Sequence, residues 1–114
     1  MENDRELLEA AAKAAGIEAH WGHGWQSDMM FTRCVDLTGV ATGREWNPLK
    51  DDGDALRLAV KLGIQITQEI PASSRFVPKA TAYYREHFSE TYGSNPFSAT
   101  RRAIVRAAAN IGKG

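Results

Sequence analysis

The stretch from Glu45 to Leu62 constrains this chain most. A Trp46-Asn47-Pro48 turn runs into the acids Asp51, Asp52 and Asp54. The acids run directly into Ala55-Leu56-Arg57-Leu58-Ala59-Val60-Lys61-Leu62. The residue before a proline disfavours the α region, so a helix has to begin after Pro48. Asp51 as N-cap places Asp52, Gly53 and Asp54 in the first turn, where carboxylates suit the positive end of the helix dipole. Only Arg57 and Lys61 interrupt the apolar positions that follow. A helix so apolar around its circumference is expected to be mostly buried. Gly63 closes it in the left-handed C′ position.

Two further helices have clear ends. Asn3 as N-cap with Glu6 three residues later makes a capping-box pattern. Leu7, Leu8, Ala11, Ala12 and Ala15 then form one apolar face, and Gly16 stops the helix. The last helix starts with Asn95 as N-cap and Pro96 at N1 and ends at Gly112. Its expected stripe is Phe97, Thr100, Ile104, Ala107, Ala108 and Ile111. Strand character appears in Ile17–Trp21, before the glycines 22 and 24, and again in Asp28–Leu37. Thr38–Arg44, with two glycines, reads as a loop. Ile64–Ile70 reads as a strand with Ile64, Ile66 and Gln68 on one side. Ala80–Arg85 and Ser89–Tyr92 read as a hairpin connected through Glu86–Phe88, with a helix over Thr81–Phe88 as the competing reading.

The order is helix, strands, helix, strand, hairpin, helix. This points to one α/β (α+β) domain spanning residues 1–114. Three helices are expected on a three- to five-stranded, largely antiparallel sheet covered on both faces. A chain of 114 residues can build one real core but not two. Zero formal net charge gives no global preference for nucleic acid or an anionic membrane. Cys34 is the only cysteine, so no intramolecular disulfide can form. No apolar run approaches the roughly 20 residues that span a bilayer. The charged N-terminal residues lack the apolar segment of a secretory signal, so the expected compartment is a reducing cytoplasm.

Two segments carry a family resemblance. Trp46–Leu62, WNPLKDDGDALRLAVKL, resembles the central motif of the phage α/β/α-sandwich domain family. Ala99–Gly112, ATRRAIVRAAANIG, resembles that family's C-terminal helix. The resemblance covers the second half of the chain well and the first helix loosely, and Ile17–Gly43 matches no motif. It implies a bacteriophage or prophage origin, the cytoplasm of an infected bacterial host and α/β/α layering. It implies no reaction, and no catalytic residue is carried over.

Chemistry is sparse. Helix capping accounts for Asp51, Asp52 and Asp54 without an ion, and their spacing is not that of a calcium loop. His20, His23, Cys34 and His87 match no zinc spacing, and no cofactor is implied. The start of the last helix is the best candidate ligand site. Asn95, Ser98 and Thr100 offer polar groups there, and Arg101 and Arg102 follow within the first turns. Helix N-termini attract anions, and arginine adds bidentate recognition of phosphate or carboxylate. The bland alternative is that these arginines pair with acids such as Glu90. Trp21, Trp25 and Trp46 are core or interface residues in the ordinary case, and stacking platforms if exposed.

The expected function is therefore a non-enzymatic binding protein. Its ligand would be a small anionic or nucleotide-like molecule, or a host protein. A homo-oligomeric structural or regulatory protein is the rival. Nucleic-acid binding through Arg101, Arg102, Arg106 and Lys113 is disfavoured by the charge balance.

Overall fold

The helix ends are written into single side chains, and each sits where its cap allows. In α1 (Asp4–Ala15) the Asn3 side chain accepts the Glu6 N–H at 2.8 Å, and Gly16 closes the helix at φ 68°. In α2 (Asp52–Leu62) the Asp51 carboxylate accepts the Asp54 N–H at 2.7 Å, and Gly63 closes the helix at φ 70°. In α3 (Pro96–Lys113) the Asn95 side chain accepts from the N–H groups of Phe97 and Ser98. The computed structural model describes residues 3–17, 19–23, 28–35, 41–73 and 75–113. The strands between 19 and 45 are described by their backbone alone.

The strands form two antiparallel three-stranded sheets. The first consists of β1 (Ala19–His23), β2 (Asp28–Val35) and β3 (Ala41–Glu45), in that order. Residues 41–44, expected as loop, are thus the start of β3. They pair with β2 from Val35↔Ala41 to Thr32↔Arg44. Gly43 is no obstacle, because the register supplies pairing that local propensity does not. β1 likewise runs on through Gly22 to His23. The second sheet has the order β4 (Gln65–Glu69), β5 (Lys79–Tyr84), β6 (Glu86–Thr91). The hairpin reading of the region is correct, but its connection is shorter than expected. Tyr84 pairs with Glu86 and Arg85 alone makes the turn, at φ 64°.

The domain is a small α+β unit in which α3 rests on the second sheet and the other helices pack on α3. α3 is its axis. It packs on β5 and β6, on α1 along much of its length, and on α2. Arg102 meets Asp4 at the start of α1, and Gly112 lies against Ala10 near its end, so the two helices run in the same direction. Because α3 is covered from several sides, its buried set is wider than a single stripe. Ala99, Ala103, Ile104, Val105, Ala107, Ala108 and Ala109 are all inside. Small side chains allow this close approach. The sheet turns Ala80 and Ala82 toward the helices. Its other face carries Thr67, Tyr83 and His87, all exposed, and Thr81, which is buried beside them.

α2 is less buried than its composition led one to expect. Ala55, Leu58 and Ala59 are inside, whereas Leu56 is 58% and Val60 73% exposed. α2 packs on α3 and, more slightly, on α1. Two helical neighbours cover only one side of a helix.

The α1–α3 contact gives a direct test. A Cβ at Gly112 would lie 2.0 Å from the Ala10 carbonyl oxygen. Alanine is intrinsically better than glycine in a helix by about 1 kcal/mol, so propensity alone predicts that Gly112→Ala stabilises. Steric overlap with backbone predicts the reverse, a loss of about 1–3 kcal/mol. Denaturant unfolding of the variant should show the loss.

Candidate functional site

The turn before α2 is locked by one buried carboxylate. Asp54 accepts the Asn47 N–H at 3.0 Å and the Arg57 guanidinium at 2.8 Å. The Asn47 carbonyl accepts from Lys50 and Asp51, and its side chain accepts the Leu49 N–H. Pro48 is fully buried, and Trp46, 5% exposed, belongs to the core. The acid cluster thus divides into separate duties. Asp51 caps the helix, Asp54 holds the turn, and Asp52 points outward to meet Arg101 at 2.6 Å.

Arg101 reaches across from α3 and ties this turn down. Its Nε donates to the Leu49 carbonyl at 2.9 Å. Arg101 is 15% exposed at its side chain and Asp52 66%. The guanidinium is therefore held in place, while its carboxylate partner sits largely in water.

Beside this pair lies a cleft of about 460 Å³ between α2, β4 and the first half of α3. Ala55, Leu56, Ile66, Pro96, Phe97 and Ile104 supply its apolar lining. Leu56 and Phe97, the latter 65% exposed, stand at its open side. One rim is polar and fixed. The Tyr92 hydroxyl donates to the Gln68 side-chain oxygen. Gln68 Nε2 donates to Thr100 Oγ1 at 3.0 Å, and Thr100 donates to the Pro96 carbonyl at 2.8 Å. This chain of bonds couples β4 to the first turn of α3. Arg101 and Asp52 form the opposite polar edge.

The residues expected at the ligand site separate into groups. Thr100 and Arg101 line the cleft. Arg102 turns away, meeting Asp4 at 3.0 Å and Glu90 at 3.4 Å. As its neighbour on a helix it sits about 100° round the axis. Asn95 is spent on capping, and Ser98 is exposed outside the cleft lining. Trp46 is buried in the core cluster with the helices and is not among the residues that line this cleft. Trp21 lies on β1 opposite Met30 with its side chain outside the described residues, and Trp25 lies outside them altogether. Arg106, one of the residues that the disfavoured nucleic-acid reading would use, pairs with Glu90 at 2.8 Å.

The apolar lining was the part that motif reading missed. Its signal was present in the alternation of Ile64, Ile66 and Gln68 and in the place of Phe97 ahead of Thr100. No family model, curated protein or solved structure matches the chain.

The turn yields a stability prediction. Asp54→Ala leaves the Asn47 N–H without its acceptor in a part-buried position, at a cost of about 1–3 kcal/mol. Asp52→Ala removes only the exposed partner of a surface-facing pair and should cost under about 1 kcal/mol. Thermal unfolding of the two variants side by side separates the two duties.

Proposed function

We propose that this protein is a binding module, and that its site is the cleft between α2, β4 and α3. The observation that carries this reading is the coincidence of exposed apolar side chains with a preformed concavity. Single exposed apolar residues are ordinary, but Leu56, Ile66 and Phe97 line one cleft. Covering a side chain of this size is worth about 1.5–3 kcal/mol.

The ligand is a small molecule with an apolar or aromatic body and one anionic group. The body occupies the lining between Leu56 and Phe97. The anion meets Arg101, whose guanidinium is already oriented by the Leu49 carbonyl. Asp52 competes for that position, but it is mostly exposed and swings into water at little cost. The exchange of one carboxylate for another keeps the arginine paired throughout. Binding is favoured over turnover because the hydroxyl and amide groups of the rim are engaged with one another and with the helix backbone. The biological setting we propose is bacteriophage infection, with the protein acting in the host cytoplasm. This rests on the resemblance of Trp46–Leu62 and Ala99–Gly112 to phage sequences. Among the described residues no helix is long and apolar enough to cross a membrane.

Calorimetry against nucleotides and aromatic carboxylates tests the site. Phe97→Ala should weaken binding by about tenfold, the loss of part of one apolar contact, with little change in melting temperature. Asp52→Asn should strengthen anionic ligands severalfold and leave uncharged analogues unaffected, because it removes the internal competitor. Absence of binding across the panel, or equal response of charged and uncharged ligands to Asp52→Asn, overturns the reading.

A further inference from the structure

The polar rim of the cleft has a direction, and its last member sets it. The Pro96 carbonyl can only accept, so its 2.8 Å contact with Thr100 Oγ1 takes the threonine hydrogen. Thr100 Oγ1 then has only lone pairs for its second contact. The group that meets it at 3.0 Å is therefore the Gln68 amide nitrogen. This fixes the orientation of the amide. Its oxygen turns to Tyr92, and the Tyr92 hydroxyl gives its hydrogen to that oxygen. The bonds thus all run in one sense, from Tyr92 through Gln68 and Thr100 to the Pro96 carbonyl. Turning any one of them round sets lone pairs against lone pairs, or hydrogens against hydrogens, at the next.

What the chain of bonds leaves over is unequal. The Tyr92 oxygen keeps lone pairs and no hydrogen. Thr100 keeps a lone pair, and Gln68 keeps a lone pair and an N–H. Tyr92, Gln68 and Thr100 all line the cleft, so this rim offers mainly acceptors. The other edge is the reverse, because the Arg101 guanidinium carries donors alone. We propose that the Tyr92–Gln68–Thr100 rim sets the polarity of the ligand. The cleft takes an apolar or aromatic body with an anionic group at one end and an N–H donor at the other. This rests on the reading of the cleft as a binding site and adds the group recognised at its second edge. The anion lies at Arg101. The N–H, from an amine or a ring nitrogen that bears hydrogen, donates to the Tyr92 oxygen. A carbonyl or ether oxygen in that place meets an oxygen with no hydrogen to give, and Tyr92 cannot turn its hydrogen toward the ligand without abandoning Gln68. Tyr92 is half-buried, so a ligand readily strips the remaining water from its hydroxyl. Tyr92 thereby determines specificity, and Gln68 and Thr100 act through it as positioning residues.

Calorimetry with a matched series of ligands tests this on the unaltered protein. The series consists of benzoates and naphthoates that carry an amino, a methyl or an acetyl group at the end away from the carboxylate. The amino form should bind about five- to tenfold more tightly than the other two, the worth of one hydrogen bond. Tyr92→Phe removes the acceptor and should bring the amino form down to the methyl form. Thr100→Val removes the hydroxyl that orients Gln68. The amide can then turn its nitrogen to Tyr92 and free the tyrosine hydrogen, so the acetyl form should gain on the methyl form by a similar factor. A purely structural role for Thr100 would shift all members of the series together, and so would a loss of fold. Equal binding of the amino, methyl and acetyl forms, or a preference for acetyl in the unaltered protein, overturns the proposal and leaves the cleft as the binding site. An acetyl form that gains nothing in a folded Thr100→Val variant overturns the positioning role. Failure of every member to bind overturns the reading of the cleft and this inference with it.

Discussion

The structure depends on how closely other elements approach α3. A helix covered by another helix, a third helix and a sheet cannot carry large side chains on every covered side. Here the run Ala107-Ala108-Ala109 and the alanines at 99 and 103 bring the neighbours to short range, and Gly112 takes this furthest. Large residues appear where room remains, at Ile104 and Val105. α1 supplies the same chemistry from its side with Ala11, Ala12 and Ala15. Burial by many small side chains gives tight packing but little tolerance for added volume.

The same axis organises the charges. α3 carries Arg101, Arg102 and Arg106 along its length, and each reaches a carboxylate on a different neighbour or shares one. Arg101 takes Asp52 before α2's second turn, Arg102 takes Asp4 on α1, and Glu90 on β6 serves both Arg102 and Arg106. Exposed pairs of this kind contribute modestly to stability, but they fix which side of α3 meets which neighbour. Arg101 also bonds the Leu49 carbonyl, which couples the start of α3 to the turn that Asp54 holds. A cleft bordered by those two pieces has at least one stationary wall.

What the sequence revealed and what it hid follow a physical division. Caps were legible because they are local. One side chain and one or two N–H groups decide them, and Asn3, Asp51 and Asn95 all cap as the pattern implied. The hairpin was legible for the same reason, although its single-residue turn at Arg85 was not. Partners at long separation were not legible. The pairing of β3 with β2 overrides a glycine-containing segment that looks like a loop. The burial of Trp46 and the exposure of Val60 both depend on where α3 lies, which no local pattern contains. The site shows the same division. The helix start drew notice to Thr100 and Arg101, yet it was β4 and α2 arriving from elsewhere in the chain that made a cleft beside them and left Arg102 outside it.

The exposed apolar residues of the described chain fall largely into two groups, and Ile70, Phe76 and Val77 surround a separate concavity beside Glu69 and Lys79. Leu56, Ile66 and Phe97 meet around one concavity, and Val60 extends the patch along α2 toward the start of β4. Amphipathic patterning alone would have put polar residues at positions 56 and 60, because α2 needs only Ala55, Leu58 and Ala59 to hold its inner face. The fold of the single chain leaves both the leucine and the valine largely in water. A ligand in the proposed cleft would cover Leu56 but not Val60, which lies outside its lining.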